Sequence, residues 1–273
     1  MNSTIKQFAE LSKTFMFNLF KKELVLHCYT ADASVYNYAP IQKAANFLPE
    51  WWRNLPKTVP DNVGVNRIIP LTTMKYCSGF TGLFSKGIIL PLWSDLRILI
   101  GERQDPNLPG HDDYHYQFSD LRSEIKSHLE IQYTGIYPTN TYQHLKILSP
   151  WHIRCNEDID FVVIQPTWNL NKQENISVPP ATLNFKHQSA THVNIFWRRE
   201  EGKKLHDIPF GQPLLHLIPL SERKIRLQHH LVSVEELNRI ISVNTSTSFI
   251  NKYKKNINMI KKRNCPYKYD VEK

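Results

Sequence analysis

The sequence predicts a β-rich α+β fold: a β-sandwich or jelly-roll-like core with an N-terminal helix and a C-terminal helical tail. Three observations carry that expectation. Proline is abundant (17) and glycine scarce (9) in 273 residues, and many prolines from Pro40 to Pro166 fall between short apolar runs. A proline inside a helix costs ~3 kcal/mol, so long helices are forbidden between residues 40 and 232, apart from one short window. Runs rich in β-branched and aromatic residues recur at short intervals, bounded by turn residues, as in sandwiches and jelly rolls. After residue 232 the spacing of apolar residues becomes helical.

In chain order, Ile5, Phe8, Leu11, Phe15 and Leu19 form one stripe of an amphipathic helix over about residues 4–22, with Lys21 and Lys22 at its C-terminal end. Leu24 to Tyr29 reads as a strand. Residues 40–60 form an aromatic, proline-punctuated segment with a short helix before Pro49; its adjacent Trp51 and Trp52 are expected to straddle a core edge, one ring in and one half out. Residues 65–71, 87–93 and 96–100 carry the densest β signal, and residues 101–113 a polar loop. The short window at 119–129 admits a helix with Ser119 as its N-cap. Further strands are expected at 142–148, 160–165, 181–185, 192–198 and 214–220, the last entered through a tight turn at Gly211. Ser233 followed by Glu236 is a capping box opening a helix, and a basic amphipathic helix follows from about residue 245. The division is therefore a β-rich domain, 1–232, and a basic helical tail, 233–273.

The formal net charge is +9, but eight lysines and arginines against Asp270 and Glu272 place +6 of it in residues 252–273, leaving +3 for the rest. A general pull toward nucleic acid thus narrows to one terminal segment. There Phe249, Tyr253, Ile257 and Ile260 recur at helical spacing, with Lys254, Lys255, Lys261 and Lys262 off that line. Such a helix docks on its own domain, on a protein partner's acidic groove, on nucleic acid or on an acidic membrane surface. No apolar run approaches ~18 residues, so no membrane span is expected. The first 25 residues lack a signal peptide's charged, apolar and cleavage regions, so the expected place is the host-cell cytoplasm or a virion. Four cysteines without a CxxC pair argue against a structural zinc site and for small buried hydrophobes in a reducing compartment, Cys77 included.

The most specific catalytic pattern is His111-Asp112-Asp113, the His-x-acid pair with which jelly-roll oxygenases bind Fe(II) alongside a distant histidine. His192 could complete the triad, as could His187, His206 or His216, giving an Fe(II)- and 2-oxoglutarate-dependent oxygenase as the alternative reading. Twelve histidines among 25 acids in 273 residues produce about one such pair by accident, and the sequence holds two, the second being His128-Leu129-Glu130. Hydrolase, nucleoside-triphosphatase and dinucleotide motifs are absent.

Three pieces combine into a recognisable pattern: Phe47-Leu48-Pro49-Glu50-Trp51-Trp52; Thr73 to Cys77 leading to Gly87 through Pro91-Leu92-Trp93-Ser94-Asp95; and Ser149-Pro150-Trp151 with Ile208-Pro209 and Gly211 to Leu214. Over roughly residues 40–225 the chain resembles a family of uncharacterised proteins encoded by tailed phages of marine bacteria and by some bacteria. It departs from that pattern where Ser78, not proline, follows Cys77, and in lacking an acidic pair around residues 187–194. The resemblance implies a viral source and no established activity. The function expected is a non-enzymatic phage-type structural or assembly protein, self-assembling or binding a protein partner through its basic C-terminal helix and needing no cofactor. A nucleic-acid-binding accessory role through the tail is the third reading.

Overall fold

Along Leu24–Thr30 (β1) every second side chain from Leu24 is fully buried, and this strand ties the two ends of the described chain together. It lies between His152–Arg154 (β10), antiparallel, and Ile225–Leu231 (β17), parallel over seven residue pairs with His27 opposite Gln228. The computed structural model describes residues 23–60, 71–101, 114–120, 123–128, 130–133, 135, 138, 141–166, 168, 175–199, 202 and 204–242.

Among the described residues four further sheets make the fold strand-rich. The largest runs Ala181–Asn184 (β13), Asp160–Ile164 (β11), Pro213–Pro219 (β16), Ile88–Pro91 (β5) and Gln42–Lys43 (β2). A second has the order Ile176–Ser177 (β12), Val193–Arg198 (β14), Tyr142–Ile147 (β9) and Ile125–Lys126 (β8). A third is Lys204–Ile208 (β15), Leu96–Ile100 (β6) and Tyr114–Phe118 (β7), and Thr58–Val59 (β3) pairs with Leu71–Thr72 (β4). All four larger sheets feed one apolar cluster that includes Leu26, Leu90, Ile98, Leu145, Trp151, Phe161, Ile195 and Leu217. Trp151 is fully buried and donates its indole N–H to the Ala39 carbonyl at 2.9 Å.

Period-2 alternation works as expected in β6, where Leu96, Ile98 and Ile100 face the core while Arg97 is exposed and pairs with Asp207 on β15. β5 is different. All four of its residues are buried, because both of its faces are covered. Ile88 and Leu90 enter the main cluster, whereas Ile89 enters a second, smaller one with Ala44, Trp52, Phe84 and Trp168.

Among the described residues four short helices decorate the strands: Ala33–Tyr38 (α1), Glu50–Asn54 (α2), Ser78–Ser85 (α3) and Val234–Ser242 (α4). The Asp32 carboxylate accepts from the Ser34 and Val35 amides and caps α1. Ser233 caps α4 as its sequence promised, its hydroxyl accepting from the Glu236 amide at 3.1 Å. The segment before Pro49 is a single 3-10 turn, Ala44–Phe47. The helix expected over 119–129 is not there. Ser119 instead shares a hydrogen bond with Ser94 at 2.8 Å, and Ile125, buried, pairs in β8 with Ile147, so tertiary pairing outweighs local helix propensity. The expected N-terminal helix at 4–22, most of the strand at 65–71 and the basic tail beyond residue 242 lie outside the described residues. No helix among those described is long and apolar enough to cross a membrane.

Gly87, just before β5, has φ +87°, and a Cβ there would sit 2.2 Å from the Leu217 carbonyl oxygen on β16. Only glycine permits both the backbone angle and the approach of the two strands. Gly82, inside α3, meets nothing within 4 Å. Gly87→Ala is accordingly expected to destabilise by about 3 kcal/mol or more, lowering the thermal midpoint by roughly 10 °C. Gly82→Ala is expected to raise stability by about 0.5–1 kcal/mol. Thermal and urea melts of the two variants check both signs.

Candidate docking surface

Pro49, with φ −66°, sets the first turn of α2, and the two tryptophans that follow point about 100° apart around it. They cannot share a face. Trp52 is buried, its ring 4.7 Å from that of Phe84, which in turn lies 5.0 Å from Trp168. Trp51 stays 40% exposed, edge-on to Trp52, as the sequence suggested for such a pair. Trp168 continues the aromatic stack to His216 on β16, ring centroids 4.6 Å apart. The His216 Nε2–H donates to the Lys86 carbonyl at 2.6 Å, closing the seam between this small cluster and the β body.

Residues 71–86 fold back against α2 through polar backbone contacts. The Thr73 hydroxyl donates to the Pro56 carbonyl and its amide to the Lys57 carbonyl, while the Lys75 ammonium donates to the Arg53 carbonyl at 2.7 Å. Thr73 also caps the 3-10 turn Met74–Tyr76, accepting from the Lys75 amide. Cys77 is the N-cap residue of α3 and is exposed, which corrects the expectation of a buried thiol. A cap residue lies outside the helical face that packs inward, and here Phe84 alone of α3 is buried. Cys28 and Cys155 are buried as expected, and burial pushes both thiols up. Cys265 lies outside the described residues.

The outcome is a module whose inside is a short aromatic stack and whose outside is apolar. Tyr76 is 66% and Met74 55% exposed, and Trp51, Leu71, Phe80 and Leu83 are each 38–41% exposed. Exposed large hydrophobes are normal when scattered singly; several on one small module signal an interaction site. Five cations, Lys43, Arg53, Lys57, Lys75 and Lys86, accompany them in residues 42–60 and 71–86, against Glu50 alone. Lys86 pairs with Glu222; the other four are in no ion pair among the described residues.

The residues singled out from sequence fall elsewhere. His111 and Asp113 lie outside the described residues. His192, before β14, accepts the Ser149 amide proton on Nδ1 at 3.2 Å and stands edge-on to His152. Desolvation, reinforced by Lys146, His152 and Lys126, lowers its pKa to about 4. Among the described residues no group of three or more histidines, cysteines and acids could hold a metal ion. Phe249, Tyr253, Lys254, Lys255, Ile257, Ile260, Lys261 and Lys262 all lie outside the described residues.

Two other polar features are built differently. A cleft of about 330 Å³ opens beside β6, lined in part by Asp95, Arg97, Gln117, Ser119 and Asp207. Its charges are already engaged: Arg97 with Asp207 at 2.8 Å, and the Asp95 carboxylate with the Phe210 amide at 2.7 Å. Among the described residues no histidine or cysteine lines it. On the outer face of β1 and β17, His27 and His230 share a 3.1 Å nitrogen–nitrogen hydrogen bond, with Tyr29 stacked on His230. α4 meets this face at Arg154, whose guanidinium donates to the Ile240 carbonyl.

No protein-family model matches the chain, and no curated protein matches it.

Trp52→Ala is expected to cost about 3–5 kcal/mol by emptying the centre of the small cluster, and Trp51→Ala to change stability by no more than about 0.5 kcal/mol. Chemical denaturation separates them. His216, lowered to about 4 by desolvation, sits neutral with its Nε2–H already committed, so protonating Nδ1 adds a charge beside Trp168. The unfolded chain takes up that proton near 6.5 and the folded one near 4. Between these values the unfolded state binds more protons, so stability is full above about pH 6.5 and declines as pH falls toward 4. His144, His152 and His192, each also lowered to about 4, act in the same direction. Urea midpoints should therefore fall over this window, and less steeply in His216→Gln.

Proposed function

We propose that the chain is a non-enzymatic assembly protein that docks a protein partner on the apolar outer surface of residues 50–59 and 71–86. The observation that carries the reading is the set of six exposed large apolar side chains, Trp51, Leu71, Met74, Tyr76, Phe80 and Leu83, held in place by the buried Trp52–Phe84–Trp168 stack. A backing that is already ordered leaves little backbone entropy to lose on association. The several sheets around one core are read as a jelly-roll-like body, and the resemblance to phage-encoded proteins, which carries no established activity, adds only a viral source to the reading. The basic segment with Phe249, Tyr253, Ile257 and Ile260 belongs to the same reading as a second contact. No specific observation favours the oxygenase: the described member of its proposed triad, His192, has its Nδ1 engaged by the Ser149 amide.

Site-specific photo-crosslinking tests the proposal. A benzophenone amino acid replaces Tyr76 on the module or, as a control, the exposed Leu205 on β15, and the producing cells are irradiated. The expected result is a discrete protein adduct from position 76 that is absent from position 205. The same adducts from both positions, or none from 76, overturn it.

A further inference from the structure

We infer that the docked partner presents an acidic amphipathic segment, whose apolar stripe meets Trp51, Met74, Tyr76 and Phe80 and whose carboxylates meet Lys43, Arg53, Lys57 and Lys75. This inference rests on the docking reading above and names the chemistry of its partner.

The charge distribution carries it. Lys43, Arg53 and Lys57 are exposed, Lys75 is half-buried, and none has a carboxylate partner among the described residues, while Glu50 is the one acid of the same stretches. The hydrogen bonds made by two of them go to main-chain carbonyls, from Lys75 to Arg53 and from Arg53 to Asn46. Such bonds fix where the cations stand without neutralising them. The Lys75 link also spans from the Met74–Tyr76 turn to α2, so a positive charge is held between the apolar groups of these two elements. Positive potential interleaved with apolar surface steers and orients a segment of opposite charge, and like-charged segments are turned away.

Two other occupants fit less well. A second copy bringing the same surface would set four cations, in no ion pair among the described residues, against four, a repulsive arrangement at ranges below the ~8 Å screening length of physiological salt. Single-stranded nucleic acid binds through cations and aromatic platforms on which bases stack. Half of the exposed apolar groups here, Leu71, Met74 and Leu83, are aliphatic and offer no such platform. Methionine and leucine are what a groove for an amphipathic helix exposes.

The test uses the full chain and two fluorescein-labelled helical peptides with one leucine stripe, carrying glutamate or lysine at the remaining positions, and reads anisotropy at physiological salt. The glutamate peptide should bind at least ~10-fold tighter than the lysine peptide. Lys43→Glu with Lys57→Glu should weaken it at least ~10-fold, and Met74→Ser with Tyr76→Ser should do the same. Thermal melts establish that each variant is folded, and the basic C-terminal segment is common to all of them. Equal binding of the two peptides, indifference to the lysine substitutions, or tighter binding and displacement by oligothymidine overturns the inference. The crosslink separates this failure from that of the docking reading, now with the probe at Phe80 so that it can be read in both double variants. If Met74→Ser with Tyr76→Ser abolishes the adduct while the lysine variants keep it, docking stands and the acidic partner falls. If neither pair of substitutions changes the adduct, docking itself falls.

Discussion

The double burial of β5 is the constraint on which the rest of the structure depends. Ile88 and Leu90 turn one way into the main core, and Ile89 turns the other way onto Trp168, Phe84 and Trp52. A strand with water on one face would tolerate a polar residue at position 89; this one does not, because the module covers it. β16 repeats the division one strand away, with Leu215 and Leu217 in the main core and His216, opposite Ile89, against Trp168. Gly87 sets how closely these two strands begin, and its carbonyl accepts the Ala44 amide, so the same residue anchors the start of the module.

Attachment through so few side chains gives the module its character. The main cluster draws on all four larger sheets, but the small one has five buried members and the partly buried Phe47, Leu48 and Leu55 among the described residues. Hydrogen bonds from Thr73 and Lys75 to Pro56 and Arg53 compensate by tying the two halves of the module to each other. The module is thus internally braced and joined to the body at Trp168, His216 and Lys86, at Ile89, and through the Ala44–Gly87 hydrogen bond. Elements held by a small cluster open locally at lower free energy than a core strand does. Any partner seated on the outer surface would stabilise that attachment by mass action.

How much of this was legible in the sequence follows from what the chain says locally. Strands β1, β5, β6, β9, β11, β14 and β16 are written in their own apolar runs, and the Ser233 cap in its own residues. The contrast between Trp51 and Trp52 follows from helical geometry alone. α3 was not legible, because its two glycines, Gly79 and Gly82, weaken a helical signal that only the packing of Phe84 rescues. β17 was hidden for another reason. Its polar run Gln228-His229-His230 reads as surface, yet the His229 Nε2–H donates to the Ile41 carbonyl and His230 stacks with Tyr29, two hundred residues distant in sequence. The exposed surface at Tyr76 and Met74 is invisible for the converse reason: an apolar residue in a sequence looks like core until its neighbours are known.

The cations of the module resolve a difficulty that its apolar surface creates. Several exposed hydrophobic side chains on one small module invite pairing between copies. Four histidines of the body, His144, His152, His192 and His216, cannot oppose this at neutral pH, since burial keeps them uncharged. Lysine and arginine, charged at every physiological pH, stand instead among the apolar groups: Arg53 beside Trp51 and Trp52, Lys75 between Met74 and Tyr76. Long aliphatic stems let them lie along apolar surface while the charged ends reach water. Repulsion between like surfaces and attraction to an unlike one are then the same property of the same four residues. Selectivity for a complementary partner is the form in which an apolar surface of this kind is compatible with an unaggregated chain.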